Sequence, residues 1–424
     1  MKENNGIRID ITPSSKYALV KGETHLFVQL KLEALEKTLT SDKRVPLNLG
    51  VVLDRSGSMS GSKIEKAKKA VEFIVGNLTK TDIFSLVIYD DRIDTLIQAN
   101  QLSEKATALS KIRNITARSM TDLHGGMIEG VKQISVNKNA EYRNVEFLLS
   151  DGLANVGITA KEKIALSAKN AHENEGVVIS TFGIGDDFDE DMLVGIADAS
   201  SGEFYYIKTA DDIPKFIEKE FQGLLETIAS SIKVKLKLAD NVMLKRILGV
   251  SLDEQQHRTI KLGDLRSGND RLLILDLQVP SGELDLKKEL VTFEIEWIPT
   301  QSDKEKIEEE SSFTVLYTNN EELLESENQE ILDNVAILET ALIREKAIQL
   351  ADRGNFEEAK NIMRKQQAVL KNRSSLEGAS AELDSLLVDN EAIMKETLDE
   401  KRYDKATRKM ASSMTYSLRK QRKE

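Results

Sequence analysis

Asp54-Arg55-Ser56-Gly57-Ser58 sets a carboxylate and two hydroxyls at alternate positions, directly after the apolar run Leu47–Leu53. Oxygen donors of this kind are hard ligands, and a cluster of them suits Mg²⁺, which takes oxygen in near-octahedral geometry. The same residue types crowd into ordinary turns, so the motif alone carries little weight. Two further segments add to it: Met120-Thr121-Asp122-Leu123, and Asp151-Gly152 just after the apolar run Val145–Leu149.

Such distant segments can act together only if the elements carrying them converge. From about residue 46 to 229 the chain alternates apolar runs of strand length with helical patterns. The runs are Leu47–Leu53, Ile83–Tyr89, Val145–Leu149 and Val177–Ile184, and the helices Ser62–Leu78, Leu123–Ile134 and Thr159–Asn174. Ser62-x-x-Glu65 and Thr159-x-x-Glu162 read as capping boxes. The runs are apolar throughout rather than alternating, as expected of strands covered on both faces. A doubly wound, mostly parallel α/β sheet follows, with Ile93–Ile97 as an antiparallel edge partner after Asp90-Asp91-Arg92. In such a sheet ligands sit beyond the carboxyl ends of the strands, where strand order reverses. If the strands before Asp54 and Asp151 are neighbours, both carboxylates meet there, and Thr121, on the loop before the intervening helix, can reach the same point.

The flanks have a different period. Ile7–Ile11 and Thr24–Leu32 precede the α/β segment. Ile232–Leu238, Met243–Leu248, Arg258–Leu262, Leu272–Val279, Glu289–Trp297 and Phe313–Tyr317 follow the helix Asp212–Ile228. Their alternation is that of half-buried antiparallel strands, most simply a β-sandwich. The strands of residues 1–45 are too few for a domain of their own, so they are expected to join those of 230–320, making 46–229 an inserted domain. Residues 321–424 read as helical. Ala347–Ala359 has the pattern helix, Gly354 at the C-cap, helix. The run Lys401–Glu424 reads as a solvated or frayed basic tail, with a partner-binding helix as the alternative.

The chain has 424 residues, 40% hydrophobic and 31% charged, with a formal net charge of −12. That balance argues against general binding to nucleic acid or anionic membranes. With no cysteine, thiolate metal sites and cysteine nucleophiles are excluded. The N-terminus shows no signal-type apolar segment and no stretch reaches membrane-spanning length, so a cytoplasmic location is expected.

Asp54-x-Ser56-x-Ser58, then Thr121, then Asp151, in this order and on these elements, resembles the metal-ion-dependent adhesion site of von Willebrand factor A domains over roughly residues 46–229. The resemblance implies a Rossmann-like fold in which Ser56, Ser58 and Thr121 supply hydroxyl oxygens, while Asp54 and Asp151 bind the ion directly or through water. Mg²⁺ is the expected ion, with Mn²⁺ and Ca²⁺ as alternatives. Direct bonds from this set leave a divalent ion incompletely neutralised, so one coordination position can go to an Asp or Glu of a partner protein.

Other polar groups point elsewhere. His25, His124, His172 and His257 lack zinc-ligand spacing, and His124 reads as a loop or helix-surface residue. Asp186-Asp187-x-Asp189-x-Asp191 lacks the glycine and terminal glutamate of a calcium loop, and Asp189 reads as a helix cap. Lys63, Lys66, Lys68 and Lys69 read as a solvated helix face. There is no dinucleotide or Walker-type phosphate loop. The reading is therefore a metal-dependent protein-interaction module without enzymatic activity. The alternatives are a metal-dependent phosphoester hydrolase, for which Ser56 stands where a second carboxylate is wanted, and an accessory subunit of an AAA+ ATPase assembly.

Overall fold

The computed structural model describes residues 2–4, 6–35, 45–118, 120–138, 142–252, 257–300, 306–325, 328–399 and 402–421. The chain divides into two compact units, Met1–Lys37 with Ile228–Glu424, and Thr38–Thr227. The first begins with strands β1 (Lys2–Asn4), β2 (Ile7–Pro13), β3 (Tyr17–Leu19) and β4 (Thr24–Ala34).

The second unit is built on β5 (Leu47–Asp54), β6 (Ile83–Tyr89), β7 (Ile93–Gln101), β8 (Arg143–Ser150), β9 (Val178–Ile184) and β10 (Phe204–Ile207). Its helices are α1 (Ser62–Asn77), α2 (Lys105–Arg113), α3 (Leu123–Val136), α4 (Lys161–Glu175), α5 (Glu190–Ala199) and α6 (Ile213–Leu225). The strand order is β10-β9-β8-β5-β6-β7. All pairs are parallel except β6–β7, the expected antiparallel edge. The chain leaves β5 toward one edge and returns at β8 to build the other, so strand order reverses between β5 and β8.

Every residue of β5 is buried. Side chains on a strand alternate between faces. Leu49, Val51 and Leu53 pack with Ile64, Val71 and Ile74 of α1 and Ile217 and Phe221 of α6. On the opposite face, Asn48 donates to the carbonyl of Ile134 on α3 at 2.8 Å. α3 lies almost on the sheet. A Cβ at Gly130 would stand 2.3 Å from Val52 Cγ2, and one at Gly126 2.7 Å from the Tyr89 ring. Glycine at these positions lets the helix, and the loop bearing Thr121 before it, come close to the strand ends.

The capping boxes are a correction. Gly61, at φ +79°, is the N-cap of α1, and Ser62 is already its first helical residue. Ala160 precedes α4, with no side-chain cap. A left-handed glycine opens the first helix where a serine was expected. Asp122 and Asp189 do cap, accepting from Gly125 N–H at 2.9 Å and Met192 N–H at 3.1 Å.

The first unit continues with β11 (Thr227–Leu238), β12 (Met243–Leu248), β13 (Thr259–Arg266), β14 (Asp270–Val279), β15 (Lys287–Pro299) and β16 (Ile307–Thr318). Two five-stranded sheets result, β1-β2-β4-β14-β12 and β13-β11-β15-β16-β3. The long β4–β14 pairing, from Thr24↔Val279 to Glu33↔Asp270, joins the N-terminal strands to the later ones. Val28, Leu30, Leu275 and Leu277 from one sheet and Val234, Phe293, Ile295 and Trp297 from the other lie in one hydrophobic cluster. β11 starts at Thr227 rather than Ile232, and a break in register between Ser230 and Lys233, with Ser231 at φ +55°, hides its first part from an alternation pattern.

The remaining described α-helices are α7 (Glu322–Glu325), α8 (Gln329–Asp352), α9 (Phe356–Ser374), α10 (Ala381–Ala392), which runs on into a π-helical turn Ile393–Thr397, and α11 (Lys405–Arg419). Gly354, at φ +81°, turns α8 into α9 as its spacing suggests. The solvated-tail reading is wrong for Lys405–Arg419. α11 opens on a capping box at Asp404 and buries Lys409, Ala411, Thr415, Tyr416 and Arg419. Gln421 then bridges the N–H and C=O of Leu272 at 2.6 and 2.8 Å. An amphipathic face, rather than net charge, decides whether such a segment packs. Residues 422–424 lie outside the described chain.

Candidate metal centre

Asp54 is the last residue of β5, and its parallel neighbour β8 ends at Ser150, one residue before Asp151. Both aspartates are fully buried. Asp54 Oδ1 accepts the N–H of Ser56 at 2.7 Å, which folds the following turn back over the strand end, and its Oδ2 accepts from Ser150 Oγ at 3.0 Å. The turn becomes a single 3₁₀ turn, Gly57–Met59, pinned by buried Met59. Ser56 Oγ then lies 3.0 Å from Ser58 Oγ, and Ser58 Oγ donates to Asp151 Oδ1 at 2.7 Å. Thr121 reaches the same place: a Cβ built on Gly152 would stand 3.5 Å from Ser58 Oγ and 3.6 Å from Thr121 Oγ1. Ser56, Ser58 and Asp151 are thus joined oxygen to oxygen at the reversal of strand order, with Asp54 at the head of the same turn and Thr121 across Gly152 from Ser58.

The loops are braced by residues the sequence reading did not single out. Thr121 N–H donates to Asn155 Oδ1 at 2.9 Å, and Thr121 C=O accepts from the N–H groups of Asn155 and Val156 at 3.1 and 3.2 Å. Asp122, not Thr121, caps α3, which leaves the threonine hydroxyl outside the helix start. Behind the site the buried Asp90 Oδ2 lies 3.0 Å from Arg55 Nε and 3.3 Å from Arg118 Nε, and Arg55 also pairs with Asp94. Arg118 N–H donates to Arg55 C=O at 2.7 Å, tying the Thr121 loop to the Asp54 turn.

The solvated lysine face is also corrected. Lys63 Nζ lies 2.5 Å from Asp151 Oδ2, and Lys66 Nζ 2.6 Å from Asp211. Lys68 is buried, with Glu65 at 2.6 Å and the carbonyl of Arg113 at 3.1 Å; of the four, only Lys69 is exposed. His124 Nε2 lies 3.1 Å from Ser167 Oγ, and burial lowers its pKa. Asp186 accepts from Tyr206 at 2.5 Å, and Asp189 and Asp191 pair with Lys161. Among the described residues no group of three or more His, Cys, Asp or Glu is placed to hold a metal.

The electrostatics of the two aspartates suit a cation. Burial, joined by the charge of Asp151, pushes the Asp54 carboxyl up to about 6, against the lowering by its bonds from Ser56 and Ser150. Two desolvated carboxylates and three hydroxyls make an all-oxygen donor set, which fits a hard divalent ion and relieves the cost of the buried charge. Ser58 and Gly57 are exposed, so the site opens to solvent on that side. Two exposed apolar residues adjoin it in the sequence: Met120, 50% exposed, before Thr121, and Leu153, 51% exposed, after Gly152.

Residues 48–219 match the model of the von Willebrand factor type A domain. An uncharacterized protein of Synechocystis sp. is 28% identical over 260 residues, 59% of this chain and 61% of its own length. YfbK of Escherichia coli is 25% identical over 268 residues, 61% and 46% of the two chains. Inter-alpha-trypsin inhibitor heavy chain H3 of Rattus norvegicus is 28% identical over 214 residues, 47% and 23%. The chain therefore spans less than two thirds of the length of these relatives. Two solved structures cover nearly all of it: the von Willebrand factor type A protein from Catenulispora acidiphila (TM-score 0.72, 14% identity, 98% of each chain) and the ArnB paralog VWA2 from Sulfolobus acidocaldarius (TM-score 0.63, 15% identity, 97% and 98%). At such identities the likeness is one of fold.

Proposed function

We propose that this chain, whose residues 48–219 form a von Willebrand factor type A domain, binds a divalent ion at Asp54, Ser56, Ser58, Thr121 and Asp151 and through it an acidic residue of a protein partner. The observation that carries the reading is the meeting of Ser58 Oγ with Asp151 Oδ1 at 2.7 Å beside Thr121, at the reversal of strand order, where sheets of this kind bind ligands. The three hydroxyls would give neutral oxygens to Mg²⁺, and the aspartates would bind directly or through water. When bound, the ion supplies Lewis acidity toward a carboxylate. The protein's own residues do the rest: Asn155 and Asp90 hold the loops, and the solvent-facing side is left open.

Met120 and Leu153 add the partner's second requirement, an apolar side chain beside its acid, since exposed apolar groups at the rim of a polar site mark interaction surfaces. In the same reading the two five-stranded sheets are the layers of one β-sandwich, 46–229 is inserted in it, and 321–424 is a helical region. Among the described residues no helix is long and apolar enough to cross a membrane.

Selection of displayed random peptides on the full chain in Mg²⁺, with elution by EDTA, tests the reading. Recovered peptides should share an Asp or Glu next to an apolar residue and fail to bind Asp54→Ala. Peptides held equally in EDTA, or equally by Asp54→Ala, count against it.

A further inference from the structure

Asp151 divides its two oxygens. Oδ1 accepts from Ser58 Oγ at 2.7 Å, within the ring of candidate ligands, and Oδ2 lies 2.5 Å from the ammonium of Lys63. The carboxylate is fully buried, and the Lys63 side chain is 26% exposed. Lys63 reaches it from the second position of α1, and its head lies beside Gly185 beyond the end of β9. A Cβ there would stand 3.4 Å from Nζ, and the glycine holds φ +74° while its N–H donates to Ile207 C=O at 2.9 Å. The neighbouring Lys66 and Lys68 have their own acids, Asp211 and Glu65. Lys63 is the lysine of this helix directed at the site.

We propose that Lys63 is a built-in counter-cation that shares the charge of Asp151 with the divalent ion and so sets the metal affinity low. The inference rests on the reading of the site as a metal centre. A fixed ammonium within roughly 5 Å of a dication costs about tenfold in affinity even at water-like dielectric. With part of its charge held by Lys63, Asp151 neutralises the ion less, and more of the ion's charge is left for a partner's carboxylate. Lys63 is thus a positioning residue, and its charge is what the proposal requires. A merely structural ion pair would instead lower stability on removal and leave metal binding unimproved.

Calorimetric titration of the full chain with Mn²⁺ tests this on wild type, Lys63→Met, Lys63→Arg and Asp54→Ala, after thermal unfolding without metal has shown each to be folded. Lys63→Gln serves if Lys63→Met is not. Lys63→Met should bind Mn²⁺ about tenfold more tightly, Lys63→Arg should stay near wild type, and Asp54→Ala should not bind. Binding by Lys63→Met alone, with wild type silent, also supports the proposal. Equal or weaker binding by Lys63→Met, or equal tightening by Lys63→Arg, overturns it. In those cases, wild-type binding that Asp54→Ala abolishes leaves the metal centre standing. Silence of both wild type and Lys63→Met overturns the two together.

Discussion

Thr121 is suspended from Asn155: its N–H donates to the asparagine Oδ1 at 2.9 Å, and its C=O takes the N–H groups of Asn155 and Val156. Asn155 is itself exposed, so its bond orients a loop rather than filling a core. Asn155→Ala should weaken Mn²⁺ binding about three- to tenfold while costing only about 0.5–1.5 kcal/mol of stability, the usual worth of one such bond. Asn155→Asp keeps the acceptor and should recover most of the affinity. Calorimetry beside urea unfolding checks this, and unchanged affinity in Asn155→Ala would show that Thr121 needs no such support.

Another buried carboxyl in the same unit belongs to β8 rather than to the candidate metal centre. Glu146, in the middle of β8 opposite Gly50, is fully buried, and neither of its oxygens has a hydrogen-bond partner among the described residues. Burial alone raises its pKa well above the ordinary carboxylate range. An acid whose folded pKa is raised contributes its full stability below the unfolded value, about 4.5, and loses it as pH rises through the folded value. Glu146→Met should therefore gain on wild type as pH rises from 4.5, reaching about 1–3 kcal/mol by pH 8. Calorimetric unfolding at pH 5 and pH 8 measures the gap. A gap that shrinks with pH would mean Glu146 has a partner in solution.

In the helical region Arg344 is 1% exposed and leans on Asn390, donating from Nε to Oδ1 at 2.6 Å, with Asp389 3.9 Å from Nη2. Burial, partly offset by Asp389, brings the guanidinium down to about 10. Removing the partner of a buried charge costs more than removing the charge. Asn390→Ala should lose about 3 kcal/mol, whereas Arg344→Met should stay within about 1 kcal/mol of wild type or exceed it. Trp297, the sole tryptophan, is buried in the same unit, so its fluorescence follows the urea transition. Equal losses in both variants would contradict this ordering.

Much of the site could be read from the chain because it rests on side-chain type. Asp54, Ser56, Ser58 and Asp151 are polar residues just past the ends of apolar runs, Thr121 precedes a helical pattern, and the runs are apolar because parallel strands are covered on both faces. What escaped depends on backbone conformation or on partners far along the chain. Gly61 took the helix start from Ser62 by adopting a left-handed conformation. β10 is only four residues long and too short to show a period. Lys63 looked like surface charge because nothing near it in sequence marks Asp151, 88 residues on, as its partner. α11 looked like a basic tail because its lysines and arginines outweigh its buried face in any count of charge.

The most direct measurement is anomalous scattering from crystals of the full chain grown with Mn²⁺. The expected result is a single strong peak enclosed by the oxygens of Ser56, Ser58 and Thr121 and facing Asp54 and Asp151, absent in crystals of Asp54→Ala. Manganese found elsewhere on the protein, with those five side chains turned from one another, would contradict the account.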